Sequence, residues 1–132
     1  MADKKTVVVI GATGAQGGGL ARAIAADKTS PFVARGITRK PDSDKAKALA
    51  SQGVQMMAAD LDDARSLERA FAGASAAYCV TNYWEHFSPE REVAQARNMA
   101  NAAKAAGLEH VVWSTLEDTP KWIPSATLEC QR

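Results

Sequence analysis

The run Thr6-Val7-Val8-Val9-Ile10, closed by the turn Gly11-Ala12-Thr13-Gly14-Ala15-Gln16-Gly17, constrains this chain more than any other feature. An apolar, β-branched run without alternation suits a strand buried on both faces. Such a strand needs helices on both sides of its sheet, so the remaining chain should alternate strands with helices. Further strands are expected at Phe32–Thr38, where Gly36 weakens the pattern, and at Val54–Ala59, Ala76–Thr81 and His110–Ser114. Helices are expected at Gly17–Ala26, with a stripe of Leu20, Ala21, Ala23 and Ile24, and at Lys45–Ser51, capped by Asp42 or Ser43. A third helix, capped by Asp62, carries Leu67, Ala70 and Phe71 and ends near Gly73. After a loop over Asn82–Phe87, Ser88 and Pro89 start a long helix with Val93, Ala96, Met99, Ala100 and Ala103 on one side, stopped at Gly107.

Alternating elements imply βαβ crossovers and a doubly wound α/β fold, a parallel sheet of five strands in the order 3-2-1-4-5. With 132 residues, one domain is expected. Sixteen basic side chains against 15 acidic ones, net +1, give no electrostatic reason to expect a nucleic-acid or membrane-surface partner. The two cysteines, Cys79 and Cys130, make no disulfide framework or metal-spaced cluster, and Cys79 reads as a buried core thiol. No apolar run approaches a signal peptide or a membrane span, so a reduced, cytoplasmic setting is the expectation.

The glycine turn stands between a strand and a helix, where a phosphate-binding turn belongs. Gly11 allows the tight exit from the strand, Gly14 lets backbone approach a pyrophosphate, and Gly17 lets helix and strand pack closely. A turn that merely permits close packing is the alternative. At the end of the second strand, where an NAD site usually carries a carboxylate, this chain has Arg39 and Lys40. A guanidinium can grip a ribose 2′-phosphate with two charge-assisted bonds, so NADP(H) is favoured over NAD(H) unless these residues are only a solvated basic loop. Asp60, ending the third strand, either accepts from a ribose or adenine with Leu61 against the base, or caps the following helix.

These motifs together resemble the NmrA-like family, an atypical branch of the short-chain dehydrogenase/reductase superfamily, and most of all its NADP(H)-binding redox sensors. The residues that carry the resemblance are the Gly11–Gly17 turn with Gly18, Thr38-Arg39-Lys40-Pro41, Ala59-Asp60-Leu61-Asp62-Asp63 and, most specifically, Val80-Thr81-Asn82-Tyr83-Trp84-Glu85. It covers Lys4 to Asp118, and implies a Rossmann-like NADP(H)-binding domain over residues 1–118 with an irregular tail over 119–132. It further implies that Thr13, Gly14, Ala15, Gln16 and Gly17 hold the pyrophosphate, Arg39 and Lys40 the 2′-phosphate, and Asp60 and Leu61 the adenine. Thr81, Asn82 and Tyr83 would lie along the nicotinamide-side ribose, although Tyr83 and Trp84 could equally pack against the long helix.

Members of the family are longer, and the chain reads as ending before their later strands and substrate- or partner-binding region. The tyrosine–lysine pair of short-chain reductases, four residues apart, has no counterpart: Tyr78 and Tyr83 are followed at that spacing by Asn82 and Phe87, although Ser114 or Thr115 stands near the family's serine. Three readings follow. One is a non-catalytic NADP(H)-binding redox sensor or regulator, with no direct contact to nucleic acid. Another is an NAD(P)H-dependent reductase of the quinone- or isoflavone-reductase type, with Tyr83 as the phenol to test. The third is a shortened form acting with a partner, whose exposed edge at Val111, Val112 and Trp113 predicts self-association or marginal stability.

Overall fold

A computed structural model describes residues 4–115. Strands β1 (Lys5–Ile10), β2 (Phe32–Thr38), β3 (Gln55–Ala58), β4 (Ala76–Cys79) and β5 (His110–Trp113) form one sheet. All its pairings are parallel and its order is β3-β2-β1-β4-β5, as the alternation of elements predicts. Helices α1 (Ala15–Ala26), α2 (Asp44–Ser51), α3 (Ala64–Phe71), the single turn α4 (Tyr83–His86) and α5 (Pro89–Ala106) connect the strands.

The central strand explains its own composition. Val8 and Ile10 enter a core built with Leu67, Phe71 and Met99, while Val9 enters another with Ala21, Leu49 and Val54. Helices α3 and α5 cover the first face and α1 and α2 the second, so both sets of positions are apolar. Cys79 lies fully buried on the first face, and desolvation pushes its thiol up to about 12. Arg35, also on that side, donates from Nη1 to the carbonyls of Ala70 and Ala72, both at 2.8 Å, and so closes the carboxyl end of α3.

Several local expectations shift. Helix α1 begins at Ala15, with Gly14 as its N-cap, because the turn itself is folded into the helix start; Ala23 is exposed on it. Asp63 rather than Asp62 caps α3, accepting from the N–H groups of Arg65 and Ser66, and Asp62 is released to other partners. Ser43 takes the cap of α2. The segment read as a loop over Asn82–Phe87 contains α4. The buried side of α5 is Gln95, Met99, Ala102 and Ala103, while Val93 and Ala100 face outward. Apolar spacing misplaces this face because Gln95 is held inward by a hydrogen bond to Asp62. Gly36 is a packing requirement: a Cβ there would stand 2.8 Å from Met56 Sδ and 2.9 Å from the Cβ of Ala12.

Among the described residues β5 pairs only with β4. Val111 packs on the core, whereas Val112 and Trp113 are exposed, which places apolar surface at the edge as expected. The segment read as an irregular tail, 119–132, lies outside the described residues.

Candidate functional site

The strand order reverses between β1 and β4, and a doubly wound sheet presents its ligand crevice outside the carboxyl ends of the strands at that point. A cleft of about 500 Å³ opens there. The chain leaves β1 through Gly11, whose φ of 65° lies in the left-handed region that favours glycine. Its N–H-to-carbonyl turn closes from Gly14 to Gly11 at 2.9 Å, and Gly18 is the next donor, bonding Gly14 at 2.8 Å. The N–H groups of Ala15, Gln16 and Gly17 therefore stand in the first turn of α1, where a helix offers no internal acceptor.

That first turn is built differently from those of the other long helices. Ser43, Asp63 and Ser88 cap α2, α3 and α5 with side-chain oxygens, but Gly14 brings no side chain to α1, and no acidic residue sits in its first turn. The positive end of the helix dipole is left without a built-in counter-charge. Gly17 has a separate duty. A Cβ there would lie 2.3 Å from the carbonyl oxygen of Gly11, so only glycine lets the helix pass this close to the turn.

Of the residues singled out in the sequence, Gly11, Thr13, Gly14, Arg39, Lys40, Asp60, Leu61 and Asn82 line the cleft together. Ala15 lines a smaller adjoining hollow with Thr13, Gly14, Arg22 and Lys45. Gln16, Gly17 and Thr81 are not in the cleft wall. The Gln16 side-chain carbonyl accepts from Tyr78 and, at 2.9 Å, from the Ser114 hydroxyl, which turns it toward β4 and β5. The Thr81 hydroxyl donates to Glu92 at 2.6 Å. The Tyr83 side chain falls outside the described part of the structure.

Asp60 accepts from the N–H of Asp62 at 2.8 Å, so it shapes the turn after β3 and leaves the helix cap to Asp63. Its neighbour Asp62 faces α5, where Arg91 donates to it from Nε and Nη2 and Gln95 donates at 3.1 Å. The Arg91 bonds hold the Asp62 carboxyl below the usual carboxylate range, against the opposing effect of burial. Sequence reasoning missed Ser43, Lys45, Glu85, Arg91 and Gln95 in the cleft wall. The signals available were the proximity of Ser43 and Lys45 to the basic pair, and the Arg91–Gln95 spacing of one helical turn. Glu85 forms an ion pair with Arg39, Nη2 to Oε1 at 2.6 Å.

The signature of the NmrA-like family matches residues 3–126. The chain belongs to the NmrA-like family. It is 38% identical over 122 residues to an NmrA-like family domain-containing oxidoreductase, notA, of an Aspergillus species, covering 89% of this chain and 35% of that protein. This NmrA-like chain thus spans about a third of the length of the curated relatives it matches. Among solved structures it is similar to the negative transcriptional regulator Nmra in complex with NADP, with a TM-score of 0.78 and 27% identity over 93% of this chain and 37% of that one. The same regulator has also been solved with NAD. A triphenylmethane reductase of Citrobacter sp., complexed with NADP(H), has a TM-score of 0.71 and 29% identity over 96% of this chain and 43% of that one.

Proposed function

We propose that this chain is the NADP(H)-binding domain of a cytoplasmic NmrA-like protein, extending over residues 1–118, and that it serves as a non-catalytic sensor of the nicotinamide pool. The observation that carries the reading is the meeting, in one cleft, of an uncapped helix start behind a glycine turn with the basic pair that ends β2. The first suits a pyrophosphate and the second a 2′-phosphate. The complexes of the similar regulator and reductase with NAD or NADP support the same ligand class. In this reading Gly11, Thr13, Gly14, Ala15, Gln16 and Gly17 hold the pyrophosphate, mainly through backbone N–H groups. Arg39 and Lys40 take the 2′-phosphate, Asp60 and Leu61 border the adenine, and Thr81, Asn82 and Tyr83 follow the nicotinamide-side ribose. In this reading the residues in the cleft bind and orient the dinucleotide, and the hydride it could supply is not drawn on.

Thermal unfolding with NADPH, and with NADH beside it, tests the assignment, because a ligand of the folded state alone raises the midpoint. A larger shift with NADPH is the expected result. Equal shifts would remove the role given to Arg39, and cooperative unfolding with no shift would remove the assignment.

A second reading has its own support: the relatives carry the name oxidoreductase. A reductase needs a proton donor beside the nicotinamide. NADPH oxidation with a quinone acceptor, present in the parent and lost in Tyr83→Phe, would favour this reading over the sensor.

A further inference from the structure

We propose that Glu85 is a built-in competitor for the cofactor's 2′-phosphate, setting how strongly the cleft prefers the phosphorylated dinucleotide. The inference rests on the NADP(H) reading above. Strands β2 and β4 flank β1, so Arg39, just beyond β2, and Glu85, in α4 beyond β4, meet across the end of β1. Both line the cleft that also holds Gly11 and Gly14. Their 2.6 Å ion pair gives the guanidinium a carboxylate partner within the chain. The other carboxylate oxygen accepts from Asn82 Nδ2 at 3.3 Å, which steadies Glu85 from its own side of the cleft.

A carboxylate and a phosphate monoester ask for the same donors on a guanidinium. A 2′-phosphate reaching Arg39 must therefore displace Glu85, and a carboxylate left beside it would repel it. A 2′-hydroxyl makes no such demand, so Glu85 taxes NADP(H) and leaves NAD(H) alone. Both partners are more than one-third exposed, at 58% and 41% of their side-chain surface, so the tax is modest and exchange is easy. Displacement also frees the carboxylate carried by α4, linking the presence of the 2′-phosphate to the turn that follows Asn82. The other basic groups in the wall, Lys40 and Lys45, remain available to the phosphate, whereas Arg91 is engaged by Asp62.

Titration calorimetry on the full chain with NADPH, NADH and adenosine 2′,5′-bisphosphate tests this, using Glu85→Gln, Arg39→Gln and the double variant. Glu85→Gln should tighten NADPH and the bisphosphate by about two- to fivefold, the range of an exposed ion pair, with NADH unchanged. In the Arg39→Gln background the same change should tighten NADPH by less, because only repulsion, and no competition for the guanidinium, is then removed. If Glu85→Gln leaves NADPH unchanged or weaker while Arg39→Gln weakens NADPH alone, the competitor role is overturned and the NADP(H) assignment stands. Equal tightening of NADPH and NADH also overturns it, by showing only a general charge effect. A folded parent chain that binds none of the three overturns the assignment and the inference together.

Discussion

The two faces of the sheet are packed by different kinds of residue. On one face α3 and α5 bring the largest fully buried side chains, Phe71, Leu67 and Met99. Against α1 and α2 the buried set is smaller, with Ala12, Ala21 and Ala34 beside Val9, Leu49 and Val54, and three glycines, Gly17, Gly18 and Gly36, hold the closest approaches. Large side chains set helices off from a sheet and stabilise by the apolar area they bury. Small ones let the first turn of α1 come down onto the end of β1, behind the Gly11–Gly14 turn that lines the cleft. One face supplies most of the burial; the other brings the first turn of α1 close to the end of β1.

The largest expected effect breaks the first face. Phe71→Ala should cost about 3–5 kcal/mol, much of an ordinary domain's stability, measured by denaturant unfolding. The fraction that stays folded should keep its response to NADPH, since Phe71 lies outside the cleft wall. A loss of less than about 1 kcal/mol would contradict the division of labour between the faces.

The second face should break by the opposite means, adding an atom. In Gly17→Ala the new Cβ meets backbone at 2.3 Å, so α1 must move from the turn. A cost of about 1–3 kcal/mol is expected, together with loss of the NADPH-induced midpoint shift. Two residues along the same helix, Gly19 has nothing within 4 Å of a Cβ. Gly19→Ala should stabilise by about 0.5–1 kcal/mol and leave the shift intact, since alanine has the better helix propensity. Like signs for the two substitutions would sink the packing account of Gly17.

The smallest effect sharpens the description of the first face. Desolvation moves the Cys79 thiol from its ordinary 9.0 to about 12. Its folded value is raised, so the associated stability is fully present below pH 9.0 and fades only as pH rises toward 12. The peptide carrying Cys79 should therefore stay unlabelled by an alkylating reagent at pH 8 in the native chain and react once denatured. Rapid native labelling there would show that this core opens.

How much was legible varied with the range of the interactions involved. The limits of β2, the Ser88 cap with Pro89 behind it and the Gly107 stop are decided within a few residues, by backbone chemistry that a short stretch of sequence displays. The face of α5 was misread because Gln95 is polar yet buried, and its partner Asp62 belongs to a different loop. The same bond shows why Asp62 is not the cap it resembles: Arg91 and Gln95 claim its carboxylate, and Asp63 stands one position closer to α3. In the cleft, glycines and basic residues could be read from their position after a strand, but Gln16 could not. Its side chain answers to Tyr78 and Ser114, which only the packing of β4 and β5 brings near.

By itself, the sequence determined the strand–turn–helix opening, the alternation that makes a doubly wound parallel sheet, and the family. The first two depend on periodicity or on neighbours along the chain, where steric and hydrogen-bonding preferences act at short range, and the family was legible as a resemblance carried by motifs. Tertiary structure alone decided which charges meet. Arg39 faces Glu85, and Asp62 faces Arg91, because the sheet order brings distant loops to one rim. The pairing energy of such groups falls with distance and exposure. No local pattern could have announced it before the strands were in place.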